Sequence, residues 1–334
     1  MKMNIKSNRQ APMVLGALTA VATLAVAIPA VYSQSVVKVD GSSTVFPLTE
    51  AAAEGFTKAT GGKARVTVGV SGTGGGFKKF CRGETDISNA SRPILQKEID
   101  ECRKAGIKYI ELPVAYDGLT VVINKQNTWA KNLTVAELKK MWEPTAQGKI
   151  TNWNQIRSGF PNLPIRLFAP GTASGTFDYF TEAVNGKSKS SRGDFTASED
   201  DNVLVNGVLR DKGAISYFGY AYYEENKNKL QAVAINGVQP SEATIKSGKY
   251  TPLSRPIFIY VNAKSASNPA VQQFVQYYLK NGAAINKKVK YVALPGNVYN
   301  SVLARFNQKK TGSVFGGKEK IGVKVNELLA TPKD

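Results

Sequence analysis

Histidine is absent from the 334-residue sequence, and cysteine occurs only twice. Without histidine, serine and cysteine triads that use a histidine base are excluded. Two cysteines alone do not complete a usual zinc site. We therefore expect no bound metal, no cofactor and no enzymatic activity.

Acidic residues are also scarce, since 25 aspartates and glutamates stand against 44 lysines and arginines and give a formal net charge of +19. A basic surface can attract nucleic acid, an anionic membrane or a small anion. The lysines occur in short dispersed pairs and not on a basic helix with interleaved aromatic residues, so no nucleic-acid partner is indicated. The composition favours steering of a small anion, and a basic surface without a specific partner remains the alternative.

Residues 1–33 have the pattern of a secretory signal peptide. Three basic residues precede an apolar run of small and aliphatic side chains that ends near Val31. We place the cleavage between Ser33 and Gln34, which predicts export to the periplasm. The alternative is an uncleaved membrane anchor, although Pro29 interrupts the run.

The only two cysteines, Cys81 and Cys102, both lie in the predicted mature chain. An even pair in an oxidising compartment is a natural disulfide candidate. Two free buried thiols are the alternative.

Runs rich in β-branched and aromatic residues alternate with runs of helical periodicity along the mature chain. This alternation predicts an α/β fold with parallel sheets joined by right-handed crossovers, and the length favours two lobes. The predicted strands are Val36–Val39, Arg65–Val70, Tyr109–Val114, Leu119–Asn124, Ile165–Phe168, Ala214–Tyr217 and Ile257–Val261. The predicted helices are Leu48–Ala59, Gly76–Arg82, Gln96–Ala105, Val135–Trp142, Gly175–Val184, Asp200–Asp211 and Pro269–Asn281.

Three runs of glycine and hydroxyl residues stand where a predicted strand passes into a helix. Glycines let the backbone approach a ligand, the first N–H groups of a helix are unpaired, and hydroxyls add donors. In doubly wound sheets ligands bind beyond the carboxyl ends of the strands, where these runs lie. Helix capping is the alternative for the first and third runs. The runs are Gly41-Ser42-Ser43-Thr44, Ser71-Gly72-Thr73-Gly74-Gly75-Gly76 and Gly171-Thr172-Ala173-Ser174-Gly175-Thr176.

Two charged residues complete the candidate site. Arg92 can offer two parallel donors to an oxyanion, and its alternative is a surface arginine paired with Asp86 or Glu84. Asp117 can accept the proton that phosphate carries and sulfate lacks. A hinge turn or a helix cap is the alternative for Asp117.

Six segments together resemble the periplasmic phosphate-binding proteins of ABC phosphate transporters, over nearly the whole mature chain and in the order of that family. The resemblance implies a type II periplasmic-binding-protein fold, with two doubly wound sheets joined by two hinge strands and the ligand in the cleft between the lobes. It places lobe I at residues 34–118 plus 264–334 and lobe II at 119–263. The segments are Asp40–Pro47, Ser71–Gly76, Asp86–Pro93, Lys149–Trp153, Ser174–Phe177 and Gly213–Tyr217.

Carried over residue by residue, the resemblance implies phosphate contacts at Ser43, Thr44 and the backbone of Val45, at Ser71 or Thr73, and at Ser174, Gly175 and Thr176. Two positions depart from the enterobacterial members of the family. Ser91, which we also include among the phosphate-binding candidates, replaces their proton-accepting aspartate, and Pro170 replaces their arginine. We expect Arg92 to restore the cation and Asp117 the acceptor.

The resulting expectation is an exported, monomeric receptor that captures inorganic phosphate and delivers it to the permease subunits of an ABC importer. A receptor of the same fold for sulfate or molybdate is the first alternative. A secreted phosphoester hydrolase that uses the same hydroxyl loops is the second, and an adhesion protein that uses its basic face is the third.

Overall fold

The computed structural model describes Met1, Met3, residues 35–318 and residues 321–322. Apart from those two methionines, the predicted signal peptide lies outside the described residues. In the described part of the chain, no helix is both long enough and apolar enough to cross a membrane.

Strands and helices alternate along the described chain, as the sequence predicts. The strands are β1 (Ser35–Gly41), β2 (Ala64–Val68), β3 (Ile87–Ala90), β4 (Tyr109–Asn124), β5 (Asn132–Leu133), β6 (Arg166–Pro170), β7 (Thr196–Ser198), β8 (Ala214–Gly219), β9 (Leu230–Ala232), β10 (Ala234–Ile235) and β11 (Ser254–Asn262). The helices are α1 (Phe46–Ala59), α2 (Gly72–Cys81), α3 (Gln96–Lys104), α4 (Val135–Trp142), α5 (Gly175–Asn185), α6 (Asp201–Arg210), α7 (Tyr220–Asn226), α8 (Glu242–Lys246), α9 (Pro269–Lys280), α10 (Gly282–Lys288) and α11 (Gly296–Asn307).

One half of the sheet has the order β2-β1-β3-β11-β4. Strand β1 pairs in parallel with β2 and with β3, so the carboxyl ends of all three strands lie at one edge. Strand β11 is antiparallel to both β3 and β4. Hydroxyl residues that follow β1, β2 and β3 in sequence are therefore brought to the same edge.

The long strand β4 belongs to both halves of the sheet. It pairs with β11 up to Gly118 and with β8 from Leu119 onward. The other half continues through β8 to β6 and β7 in parallel, and β9 pairs with the end of β4. The mixed α/β class is confirmed, but both halves also contain antiparallel strands, which the prediction of parallel sheets did not include.

Packed helices and buried aromatic rings cover the two halves. The rings of Phe56 and Phe274, on α1 and α9, lie 5.5 Å apart. On the other half, Phe180 of α5 stacks on Tyr217 of β8 with ring centres 3.7 Å apart. These layers hold the strand ends, and the loops that follow them, in fixed positions.

Cys81 at the end of α2 and Cys102 on α3 form a disulfide, as the sequence predicts. Both cysteines are buried in a small cluster that also contains Phe77 and Phe315. The bond fastens two helices that follow the candidate loops, and the alternative of free thiols is wrong.

Candidate anion-binding site

The first hydroxyl loop connects β1 to α1. Helix α1 has no side-chain hydrogen bond at its N-cap Val45, so the hydroxyls of this loop are not used for capping. Thr44 is completely buried, and its Oγ1 lies 2.9 Å from Thr176 Oγ1 in the third loop. The Val45 N–H donates to Ser42 O at 3.2 Å, so this amide already has an acceptor.

Two tyrosines fix the backbone of the first loop. The hydroxyl of Tyr222 donates to Ser43 O at 3.1 Å, and the hydroxyl of Tyr291 donates to Thr44 O. The Ser43 carbonyl group points toward Tyr222, so the Thr44 N–H of the same trans peptide unit points to the opposite side. Ser43 also borders a cavity of about 660 Å³.

The second loop contributes Thr73, and Ser71 has another role. Ser71 donates its hydroxyl proton to Asp40, which also pairs with Lys79 at 2.7 Å. Thr73 is completely buried; its Oγ1 accepts from Ser91 N at 3.1 Å and lies 3.1 Å from Ser91 Oγ. Of the two alternatives Ser71 and Thr73, the structure brings Thr73 together with Ser91.

Helix α2 begins at Gly72, inside the glycine run and four residues before the predicted start at Gly76. Gly72 has φ +72°, and a Cβ there would lie 2.8 Å from Ala173 O of the third loop. Both the backbone angle and the close approach require glycine. The second and third loops are joined directly, since Gly74 N donates to Ala173 O at 2.8 Å.

The third loop begins α5. Ser174 caps the helix by accepting from Thr176 N at 3.1 Å, so the capping alternative for this serine is confirmed. A Cβ on Gly175 would lie 2.6 Å from Thr73 Oγ1 and 2.8 Å from Ser91 Oγ. Gly175 thus faces the second loop across a gap that has no room for a side chain.

Several backbone amides at this junction have no protein partner. Within residues 35–318, no acceptor is within hydrogen-bond distance of the N–H groups of Thr44, Thr73 or Gly175. Thr73 and Gly175 lie in the first turns of α2 and α5, where the helix dipole also favours negative charge. Unpaired amides and hydroxyls from three loops make a site with donors suited to an oxyanion.

Sequence reasoning missed Arg255, a cation at the start of β11. Its guanidinium is 1% exposed. It donates to Gly175 O at 3.0 Å, to Thr176 Oγ1 at 2.7 Å and to Asp117 Oδ2 at 3.1 Å. Arg255 therefore contacts the third loop, and its positive charge is paired with the carboxylate of Asp117.

Asp117 lies in the middle of β4 and is 1% exposed. Besides Arg255, it accepts from Tyr220 N at 3.1 Å. Burial raises the pKa of Asp117, and the charge of Arg255 opposes that rise. The turn alternative for Tyr116-Asp117-Gly118 is wrong, because these residues are buried strand. The helix-cap alternative agrees with the structure, because Tyr220 is the first residue of α7 and its N–H is bound by Asp117.

Arg92 is buried, but the structure gives its guanidinium two carboxylate partners. It forms a two-bond pair with Glu98, both distances 2.8 Å, and its Nε donates to Asp178 Oδ2 at 2.7 Å. The alternative of a surface arginine paired with Asp86 or Glu84 is wrong, since Arg92 is 1% exposed. The positive charge of Arg92 is thus matched by protein carboxylates.

The local charge balance decides how this site can hold an anion. Arg92 and Arg255 lie beside three carboxylates, those of Glu98, Asp178 and Asp117. The arginines therefore bring no excess positive charge, and unpaired amides and hydroxyls must stabilise most of the ligand's charge. In the described part of the chain, no three side chains that could ligate a metal lie together.

Comparisons with known proteins support the family resemblance that the sequence motifs predict. A model of the PBP superfamily domain matches residues 25–281. Protein SphX of Synechococcus elongatus is 54% identical over 301 residues, which is 89% of this chain and 88% of SphX. The phosphate-binding protein PstS of Staphylococcus saprophyticus is 38% identical over 85% of this chain and 86% of its own. The chain belongs to the PBP superfamily.

Solved structures of superfamily members agree with this fold. A possible phosphate-binding protein from Planctomyces limnophilus is 49% identical, covers 83% of this chain and 99% of its own, and has a TM-score of 0.62. A putative phosphate ABC transporter substrate-binding protein from Clostridium perfringens, solved with bound phosphate, is 26% identical over 78% of this chain and 100% of its own, with a TM-score of 0.68. The predicted family resemblance and the α/β fold are both confirmed.

Proposed function

We propose that this PBP-superfamily protein is an exported receptor that captures inorganic phosphate and passes it to the permease subunits of an ABC importer. The observation that carries the proposal is the meeting of Thr44, Thr73 and Gly175, whose N–H groups have no acceptor within residues 35–318. Relatives named as phosphate-binding proteins support phosphate as the ligand. The same relatives support a binding role without chemical turnover.

Export to the periplasm and a monomeric state are further parts of the proposal. The signal-peptide pattern of residues 1–33 supports export. The basic composition supports attraction of a small anion to the cleft. We propose no nucleic-acid partner.

We infer two lobes that close on the ligand. The change of β4 partner between Gly118 and Leu119 supports a first boundary at 118/119. Strand β11 pairs with β4 from Ser254 to Asn262 and with β3 from Phe258 to Val261. We therefore propose that the second crossing lies just before Ser254, in place of the boundary expected at 263/264.

Within the predicted binding set, we propose that direct phosphate contacts come from Thr44, Thr73, Ser91, Gly175 and Thr176. Arg255 is the proposed cation. The contacts predicted for Val45, Ser71 and Arg92 have less support, because the structure gives the relevant group of each another partner. Ser43 lies next to the site, and Ser174 supports it as the helix cap.

Calorimetry on protein freed of bound ligand tests this function. We expect phosphate to bind more tightly than sulfate near neutral pH. Thr73→Val should weaken phosphate binding about tenfold to a hundredfold, because a hydrogen bond to a charged group contributes about 1.5–3 kcal/mol. The matched control is Thr67→Val, on the exposed side of β2, which should leave affinity unchanged. Tighter binding of sulfate than of phosphate would refute the proposal.

A further inference from the structure

The peptide unit between Ser43 and Thr44 is bound on its carbonyl side by a residue from a distant part of the chain. Tyr222 on α7 donates its hydroxyl proton to Ser43 O at 3.1 Å, and the two residues are 179 positions apart. The N–H of the same unit, on Thr44, has no acceptor within residues 35–318 and is one of the proposed phosphate donors. One side of this peptide unit therefore contacts Tyr222, and the opposite side faces the ligand.

Tyr222 and the first hydroxyl loop belong to different halves of the structure. Tyr222 is 7% exposed and belongs to an apolar cluster with Val122 of β4 and Phe218 of β8. The loop is attached to the other half, because Ser42 N donates to Asn89 O of β3 at 3.0 Å. The hydrogen bond from the Tyr222 hydroxyl therefore crosses the junction between the two halves.

The start of α7 packs closely against the same loop. A Cβ on Gly219, the residue before the helix, would lie 3.0 Å from Thr44 Cγ2. Tyr222 and Ser43 also line the cavity of about 660 Å³, on whose wall their hydrogen bond lies. Opening of the proposed lobes would separate the two residues and let water replace this hydrogen bond.

Tyr291 makes the corresponding contact from within the first half. Its hydroxyl donates to Thr44 O. The next residue, Val292, is joined to the first part of β4, because its carbonyl oxygen accepts from Tyr116 N at 2.8 Å. The two tyrosines thus bind consecutive carbonyl groups of one loop, Tyr291 from the same half and Tyr222 from across the junction.

Resting on the proposed phosphate function and its two lobes, we propose that Tyr222 is a positioning residue that couples closure to phosphate binding through one peptide unit. On closure, its hydroxyl binds Ser43 O and fixes the direction of the Thr44 N–H toward the anion. Hydrogen bonds at the two ends of a peptide unit strengthen each other, because each polarises the unit. Tyr222 therefore slows the release of phosphate without contacting it, and bound phosphate strengthens the Tyr222 contact in return.

Tyr222→Phe tests this role, because it removes the hydroxyl and keeps the packed ring. Ser43 O retains a donor, Phe46 N at 3.2 Å, so the ligand-free protein should melt within about 2 °C of the wild type. Phosphate affinity, measured by calorimetry, should fall about three- to tenfold, the effect of one net hydrogen bond. The fall should lie in the dissociation rate, measured by chasing radiolabelled inorganic phosphate with unlabelled phosphate. The association rate should change by less than about twofold.

Two matched variants remove a tyrosine hydroxyl elsewhere. Tyr291→Phe leaves Thr44 O without any donor from residues 35–318, so the ligand-free protein should melt at least about 3 °C below the wild type. Tyr223 is the next residue of α7 after Tyr222 and packs against the same apolar cluster. In the described chain it makes no hydrogen bond to the first loop, so Tyr223→Phe should leave the affinity and both rates within about twofold.

Three results would overturn the inference. The first is a dissociation rate in Tyr222→Phe within about twofold of the wild type. The second is a loss of affinity that lies in the association rate or that Tyr223→Phe reproduces. The third is a ligand-free melting temperature lowered as much as in Tyr291→Phe, which would assign Tyr222 a structural role only. Failure of the wild type to bind phosphate would refute the proposed function itself.

Discussion

Asp178→Asn distinguishes two roles for Arg92. If Arg92 were the cation that binds phosphate, removing its carboxylate partner would leave phosphate binding unchanged or make it tighter. The structure instead shows Arg92 joining the loop after β3 to α5, where Asp178 follows the third hydroxyl loop. In the proposed two-lobed arrangement, this ion pair would form on closure and stabilise the closed cleft. Asp178→Asn should then weaken phosphate binding.

The magnitude follows from what the substitution leaves in place. The asparagine side chain has nearly the same shape as the aspartate and can still accept a hydrogen bond from Arg92, and Glu98 still forms its two bonds at 2.8 Å. The change therefore replaces a charge-assisted hydrogen bond with a neutral one, a loss of about 1–2 kcal/mol. Lys189, half exposed at 3.6 Å from Asp178, adds little. Phosphate affinity should fall about 5- to 30-fold.

Calorimetry gives the dissociation constant, and thermal unfolding without ligand shows whether the fold is intact. A pair made on closure should affect binding more than the melting temperature of the ligand-free protein, which should shift by less than about 4 °C. The matched control is Asp194→Asn, since Asp194 pairs with the buried Arg192 only two residues away. That control should leave affinity within about twofold. Unchanged or tighter phosphate binding in Asp178→Asn would refute the reasoning.

Three further substitutions test other parts of the site. Arg255→Gln leaves its buried carboxylate partner without a cation and should cost about 3–5 kcal/mol of stability, measured by urea unfolding, together with most phosphate affinity. Gly175→Ala places a Cβ 2.6 Å from Thr73 Oγ1, so calorimetry should detect little phosphate binding while circular dichroism remains native. Replacing Cys81 and Cys102 by serine should lower the free energy of unfolding by about 3 kcal/mol. Phosphate affinity should be unchanged, because the cysteines lie outside the site.

The three hydroxyl loops could be predicted because their composition is unfavourable without a ligand. A run such as Ser71 to Gly76 weakens a helix unless the backbone must approach something closely. Gly72 and Gly175 each face a neighbouring loop at a distance that excludes a side chain. Local sequence therefore indicated both the location and the chemistry of the loops. It did not indicate that α2 begins within the glycines.

The middle of β4 could not be predicted from local signals. Asp117-Gly118 is a frequent turn sequence, so the chain around it was expected to break into two strands. Pairing with β11 on one side and β8 on the other keeps the segment extended. Tertiary pairing overrides turn propensity here, because every residue of β4 is buried.

The arginine that contacts the third loop could not be predicted from local signals either, because its partners are distant in sequence. Ser-Arg-Pro occurs twice, at Ser91 to Pro93 and at Ser254 to Pro256, and only the first was chosen from the sequence. The second precedes a strongly β-prone run, and this signal could have pointed to Arg255. Which arginine faces the loops depends on carboxylates distant in sequence, Asp178 for the first and Asp117 for the second.

Specificity is therefore less visible in the sequence than anion binding. The loops carry their own signature because glycine, hydroxyl and helix start are local features. A buried charge pair depends instead on tertiary packing, because its two members come from distant parts of the chain. Arg255 and Asp117, which meet at 3.1 Å, are 138 positions apart in the sequence.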